Sequence, residues 1–281
     1  MNAITDIILP LALAFIMFSL GLGLTSKDFL RVLLQPKDFI AGIISQVILL
    51  PIVGFFLVTS FTVSPEIALG VMIIAAAPGG VTSNILTSFG RGDIALSISL
   101  TAVISLLSVI TIPLIVGFSY VYLFGQTAKG DISITIIAIK VFAISTVPVL
   151  VGLCVRYFAE NFASSFSEIS KRISAVLFTL VLLGAIFQER NNITEYYADT
   201  GVITFTLNII MILLAWLTAS ILGSGRKQKI AISMECGLQN GTLAIVVAKF
   251  FESGLTVIPA ATYSLTMFFT ALIFIYILRR K

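Results

Sequence analysis

Long, almost unbroken apolar stretches dominate the chain, each separated from the next by a short polar connector. A helix needs about 20 mostly apolar residues to cross the hydrocarbon of a bilayer. That ruler predicts nine spans, at 4–25, 39–61, 67–89, 93–122, 132–155, 173–187, 201–222, 230–251 and 258–278. The connectors, such as Ser26–Asp38 and Gly223–Lys229, are short. One of them, Arg156–Arg172, alternates apolar and polar residues, a pattern suited to lying along the membrane surface. No linker is long enough to separate soluble domains, so 1–281 reads as a single transmembrane domain. Ile7–Leu24 is expected to be a span rather than a removed leader, because no A-x-A-like site follows it.

Two of the spans are interrupted. The third contains Ala77-Pro78-Gly79-Gly80, and the eighth contains Glu235-Cys236-Gly237-Leu238-Gln239-Asn240-Gly241. Proline removes a backbone donor and glycine loosens the chain, so each can open a helix. Freed backbone groups at membrane depth persist only where they are buried in protein or line a wet cavity. A packing kink would account for either break alone. Paired breaks in corresponding positions of two halves point instead to a transporter built from inverted repeats. Nine spans fit two five-helix repeats, the first lacking a terminal helix. The expected fold is therefore all-α and integral to the membrane.

Composition agrees with lipid as the solvent. The chain is 58% hydrophobic and 11% charged, with a mean hydropathy of +1.12, whereas soluble domains carry about 25% charged residues. Histidine is absent, which excludes Ser-His and Cys-His catalytic pairs, His-ligated haem and HExxH metal sites. Cys154 and Cys236 lie far apart in apolar segments, so neither a disulfide framework nor a thiolate cage is expected.

The net charge of +4 reads as topology rather than nucleic-acid binding. One set of connectors holds Lys27, Arg31, Lys37, Arg91, Arg156, Lys171, Arg172, Arg226, Lys227, Lys229, Arg279, Arg280 and Lys281. The opposite set holds Lys129 and Arg190, while Lys140 and Lys249 fall within or at the end of spans. The positive-inside rule makes the first set cytoplasmic, with the N-terminus outside and the C-terminus inside.

Glu235 is the one acidic residue deep inside a span. An intramembrane carboxylate is costly and marks a functional site unless a fixed cation pairs with it; Lys140 is the candidate partner. With neutral oxygens around it, the carboxylate suits sodium or a proton. Gln239 follows at i+4, and the break between them frees carbonyls. Ser83 and Asn84 follow the first break directly. Ser97, Thr101, Ser105 and Ser108 form a stripe on the fourth span. Ser97 and Thr101 read as cation ligands, Ser105 and Ser108 as helix–helix hydrogen bonds. Gln46 interrupts an apolar run, and the residues around it name no partner. The half-helices beginning near Gly80 and Asn240 offer N–H groups and positive dipole ends to an anion.

Together, Phe18-x-x-Gly21-x-x-Leu24-Thr25 with Asp28-Phe29, Gln46 with Pro51, Pro78-Gly79-Gly80-x-x-Ser83-Asn84, Gly92-Asp93-x-Ala95-Leu96-Ser97 with Thr101, and Glu235-x-Gly237-x-Gln239-Asn240 resemble the bile acid:sodium symporter family. The likeness covers nearly the whole chain and is to bacterial members of the apical sodium-dependent bile acid transporter type. It implies a ten-helix fold, or nine without the first, with two broken helices crossing in a core. The implied panel helices lie within 1–25 and 132–187, and the core helices within 39–122 and 201–281. It also implies two sodium ions, one held by Ser83, Asn84, Ser97, Thr101 and Glu235. The second would be held by Gln46, Glu235, Gln239 and the carbonyls of Cys236 and Leu238. The substrate side departs from the pattern. Val81-Thr82 stand where bile-acid-binding bacterial relatives resemble Thr-Ala, and Met267-Phe268 stand where they have His-Asn.

The function these readings imply is sodium-coupled symport of a small organic anion, a monocarboxylate or bile-acid-like organic acid, by alternating access in a bacterial-type inner membrane. The anion would sit among Val81, Thr82, Asn240, Gly241, Met267 and Phe268. The rival on the same fold is proton-coupled transport with Glu235 as carrier. An intramembrane enzyme lacks residues for a Ser-His or di-aspartate site. A passive channel would need a polar lining repeated along several helices, whereas polarity here concentrates at two breaks. Related arsenite carriers use a cysteine near the first break, where this chain has none.

Overall fold

The computed structural model describes residues 8–25, 28, 30, 34–125, 134–188, 190–251 and 253–279. Lys27, Phe29, Arg31, Lys129, Arg280 and Lys281 lie outside the described residues, and of Arg190 only the backbone is described. Among the described residues the chain is helical: α1 Leu9–Gly23, α2 Pro36–Ser60, α3 Pro65–Ala76, α4 Val81–Phe89, α5 Ile94–Phe124 and α6 Thr135–Phe158. They continue as α7 Glu160–Gln188, α8 Arg190–Ile221, α9 Arg226–Gly237, α10 Gly241–Ala248 and α11 Ile258–Arg279. Five stretches, Pro36–Ser60, Ile94–Phe124, Thr135–Phe158, Thr200–Ile221 and Gly254–Arg279, are long and apolar enough to cross a membrane. Their outward faces carry Phe56, Leu114, Phe118, Leu213 and Phe269, all more than half exposed and all apolar. Such faces fit a surface of lipid rather than water.

Local chemistry sets the boundaries. Ser64 caps α3 by accepting from the N–H of Ile67, and Pro65 supplies a pre-set φ at the first position. Asp93 caps α5 through the N–H of Leu96 at 3.0 Å. The residue ahead of a proline is pushed out of the helical region; α3 accordingly stops before Ala77-Pro78, with Ala77 extended. Two helices widen into a π-turn, Ile44–Leu49 ahead of Pro51 and Phe142–Thr146 ahead of Pro148. In each the proline withholds the N–H that would close the normal turn.

The connector expected along the membrane surface is mostly something else. From Glu160 onward it forms one continuous helix with the sixth span. Its apparent alternation is the buried stripe Ala163, Ser167, Ser170 and Ser174. These small residues let α7 approach α1, where Ser19 Oγ lies 2.9 Å from Ser170 Oγ.

Packing divides the helices into two groups. α1 packs chiefly on the second half of α6 and on α7, whereas α2–α5 and α8–α11 pack among themselves. Contacts of α5 with α6, of α1 with α10, and of α7 with α8, α10 and α11 join the groups. Several basic residues lie close together, at the start of α2, the start of α9 and the end of α11. Lys37 Nζ donates to the Gly223 carbonyl at 3.0 Å, and the Asp93 N–H to that of Lys227 at 3.0 Å. Arg226 reaches the Leu278 carbonyl and Arg279 that of Phe89.

Candidate functional site

The two breaks meet in the interior. Gly79 pairs with Gln239 as an isolated antiparallel bridge, and the Asn240 N–H donates to the Pro78 carbonyl at 2.8 Å. Each interruption thereby satisfies backbone groups of the other, and 77–80 and 237–241 are all buried. This mutual pairing is what permits irregular backbone at membrane depth.

Glu235 sits in the last turn of α9, 0% exposed. Ser83, in the first turn of α4, places its hydroxyl 2.6 Å from Glu235 Oε2 and 2.6 Å from the Gly80 carbonyl. Ser97 Oγ lies 3.3 Å from Oε2. One turn along α5, Thr101 Oγ1 lies 2.7 Å from Oε1, 3.0 Å from the Ser97 carbonyl and 3.5 Å from Asn84 Oδ1. Each hydroxyl has a single proton. The hydroxyl protons of Ser83, Ser97 and Thr101 therefore face both Glu235 oxygens, the Ser97 carbonyl and Asn84 Oδ1, and the Gly80 carbonyl, which also takes the Ser83 N–H; the Thr87 hydroxyl adds a donor at Ser97 Oγ, 3.3 Å away. An interior with surplus oxygen lone pairs and a carboxylate is suited to a hard cation. Lys140 is not that cation, for its Nζ lies over the Phe250 ring at 4.7 Å.

A second cluster adjoins the first. Gln46, in the π-turn of α2, donates from Nε2 to Gln239 Oε1 at 2.6 Å and to the Ala77 carbonyl at 2.9 Å. Gln239 Nε2 donates to the Cys236 carbonyl at 2.8 Å. Leu238, fully buried, ends α9 by donating its N–H to the Met234 carbonyl. The structure thus brings Ser83, Asn84, Ser97, Thr101 and Glu235 together, and separately Gln46, Gln239 and Cys236. Among the described residues Gln46 and Glu235 share no hydrogen bond. Ser108 takes the Ser105 carbonyl of its own helix at 2.6 Å, so the expected helix–helix bond is not formed there.

The residues assigned to an anion fall into two places. Val81 and Thr82 begin α4, half-buried, and Asn240 and Gly241 begin α10, buried. A Cβ on Gly80 would lie 3.8 Å from Asn240 Cα, so the two helix starts are side by side. Asn240 Oδ1 caps α10 at the Leu243 N–H, 3.0 Å, while Nδ2 lies 3.9 Å from Met17 Sδ on α1. Gly241 leaves no space toward Ser264 on α11, where a Cβ would come within 1.9 Å of Oγ. Phe268 stands edge-on to Phe178 of α7, centroids 6.3 Å apart. Met267 is fully buried on the α11 face that carries Tyr263 and Thr270. Sequence reasoning passed over Asn208, Tyr263 and Thr270, which form a buried hydrogen-bonded group beside Gly237. Asn208 inside an apolar span was the one signal available for it.

Residues 10–196 match the model of the Sodium Bile acid symporter family. The chain is 29% identical over 257 residues to a Bacillus subtilis protein described as the uncharacterized sodium-dependent transporter YocS, covering 90% of this chain and 77% of that one. It is 29% identical to the ileal sodium/bile acid cotransporter of Oryctolagus cuniculus, covering 100% of this chain and 82% of that one. It is 28% identical to the probable sodium/metabolite cotransporter BASS1 of Arabidopsis thaliana, covering 90% of this chain and 62% of that one.

Proposed function

The chain belongs to the sodium bile acid symporter family, and from that premise we propose that it is a sodium-coupled secondary active symporter of a small organic anion. Its relatives are described as transporters and cotransporters, not enzymes. The observation that carries the reading is the surplus of oxygen acceptors around the fully buried Glu235. One sodium ion takes the hydroxyls of Ser83, Ser97 and Thr101, the Asn84 side chain and the carboxylate. A second takes Gln46, Gln239, Glu235 and the carbonyls of Cys236 and Leu238. At the first site sodium entry requires that hydroxyl protons rotate away, which exposes lone pairs; at the second the Gln46–Gln239 and Gln239–Cys236 bonds must also give way.

The fold on this reading is a nine-helix inverted repeat. Helices α1, α6 and α7 form a panel and the others a core, with the broken pairs α3–α4 and α9–α10 crossing at its centre. Rocking of panel against core around the crossing would expose the site alternately to each side. The separate packing of the two groups supports this division. The cargo is a monocarboxylate or similar organic acid between the starts of α4 and α10. Their dipole ends face it where Gly80 and Asn240 approach, and the sodium charges offset its own. The membrane is a bacterial-type inner membrane, with the basic end cytoplasmic.

The test is uptake of labelled organic acids into vesicles holding the purified protein, with sodium and pH gradients imposed separately. A sodium gradient should drive accumulation of a carboxylate with the pH gradient absent. Accumulation that follows the pH gradient and ignores sodium would instead make Glu235 a proton carrier.

A further inference from the structure

The break after α9 has a third set of partners, on α8 and α11. Asn208 on α8 donates from Nδ2 to the Gly237 carbonyl at 2.6 Å. The Tyr263 hydroxyl on α11 reaches the same carbonyl at 3.2 Å. Asn208 Nδ2 also lies 3.0 Å from the Tyr263 oxygen, and the Thr270 hydroxyl donates to Asn208 Oδ1. Asn208 and Tyr263 are both 0% exposed. The amide has two N–H groups and one oxygen to satisfy, and all of them are engaged in this ring. Gly237 makes the approach possible. A Cβ there would lie 2.5 Å from Ile212 Cγ1, one turn along α8 from Asn208.

We propose that Asn208 and Tyr263 are positioning residues for sodium, acting through the Gly237 carbonyl. The proposal rests on the reading that Cys236, Leu238 and Gln239 hold the second ion. Leu238 is extended, with φ −118° and ψ 95°, and in extended backbone successive carbonyls point to opposite sides. Pinning the Gly237 carbonyl toward α8 and α11 therefore turns the Leu238 carbonyl away from those helices. Gln239 is then held by its bridge to Gly79 and its bond to the Cys236 carbonyl, with its side chain against Gln46. Without the clamp the peptide between Gly237 and Leu238 keeps only the Leu238 N–H bond to the Met234 carbonyl, and the direction of the carbonyl that follows is less tightly fixed.

The experiment titrates sodium against the melting temperature of the purified full-length protein, with choline as the balancing cation. Ligand that binds the folded state raises that temperature according to its concentration over Kd. Tyr263→Phe removes one hydroxyl and leaves the ring. It should raise the half-saturating sodium concentration about three- to tenfold, the range of one neutral hydrogen bond, and flatten the sodium dependence. The sodium-free melting temperature should fall modestly, because the buried bond is lost there as well; the shifted titration is the deciding readout. Asn208→Leu should shift the titration further in the same direction. Lowered sodium-free melting temperatures with unmoved titrations in both variants would overturn the proposal and leave the cluster a packing element. Where Asn208→Leu does not fold, Tyr263→Phe decides alone. Glu235→Gln separates the two readings: a sodium titration that survives it sinks the ion site itself, whereas one abolished there and unmoved in Tyr263→Phe sinks only the clamp.

Discussion

Gly79 lies so close to Glu235 that a Cβ on the glycine would stand 2.1 Å from the carboxylate's Oε1. That oxygen is the one Thr101 approaches. The atom in the way is the tip of a flexible side chain, so an added methyl displaces the carboxylate and leaves the backbone in place. Gly79→Ala should therefore fold and insert normally while losing sodium-dependent uptake. Normal yield and melting temperature together with unimpaired uptake would refute the placement of Glu235.

The ligands on α5 should separate cleanly from the rest of its polar stripe. Thr101→Val removes a hydroxyl from the carboxylate. A hydrogen bond to a charged group contributes about 1.5–3 kcal/mol, so sodium affinity should fall by roughly 10- to 150-fold. Ser108→Ala removes only a bond to the Ser105 carbonyl within the same helix and should leave sodium dependence nearly intact. Equal losses in the two variants, measured as the sodium concentration giving half-maximal uptake, would contradict this.

How much of this was legible beforehand depends on whether the cause is local. Both breaks were, because Pro78 with two glycines, and Gly237 with Gly241, oppose a continuous helix wherever they stand. Glu235 was, because a carboxylate in an apolar span demands an explanation. Gln46 drew its place from the family likeness alone, since its partner Gln239 is 193 residues away. The π-turn that carries it precedes Pro51, yet Pro113 sits inside α5 without one, so proline by itself does not announce the feature. The start of α7 was misread because two turns of a small-residue stripe look like alternation until the neighbour, α1, is known. Asn208 in an apolar span was a signal, but its partners Tyr263 and Thr270 were not legible for the same reason, since the three become a group only when α8 and α11 pack together.

Where α1 meets α6, two glycines face each other's backbone. A Cβ on Gly21 would lie 2.1 Å from the Val149 carbonyl oxygen, and one on Gly152 would lie 2.3 Å from that of Phe18. Here the obstacle is main chain, which cannot swing aside. Gly21→Ala or Gly152→Ala should cost about 1–3 kcal/mol, as overpacking usually does, and lower yield and melting temperature. Sodium affinity of the protein that remains should be unchanged, because neither residue touches the breaks. A selective loss of sodium binding at normal stability would count against this account.

Orientation can be tested at the basic end of the bundle. Lys227, exposed in the first turn of α9, accepts the Asp93 N–H through its carbonyl, so a change of side chain there leaves the bond available. Cys154 is itself exposed and must first be replaced by serine. With the basic end cytoplasmic, Lys227→Cys should resist an impermeant thiol reagent on intact cells and react once the membrane is opened. Efficient labelling of intact cells would reverse the topology.

The cargo prediction turns on Asn240, whose two side-chain ends have different tasks. Oδ1 caps α10 at the Leu243 N–H, and Nδ2 points across to Met17 on α1. Replacement by leucine would remove both at once, with about 1 kcal/mol lost from the cap alone. Asn240→Asp keeps the cap and exchanges the amide N–H group for negative charge beside the proposed anion. It should lower the sodium-free melting temperature, since a carboxylate is buried there, and weaken carboxylate binding in the folded protein at least tenfold, a difference of about 1.4 kcal/mol. Phe268→Asn, against Phe178 and away from the buried Asn208 group, should shift preference toward more hydroxylated acids. Met267→His would instead bury an imidazole on the Tyr263 face and is expected to destabilise the fold. These outcomes can be read from sodium-dependent thermal shifts over a panel of carboxylates, neutral sugars and organic cations. If sugars or cations gave the largest shifts and Asn240→Asp strengthened them, the site would not be one for an anion.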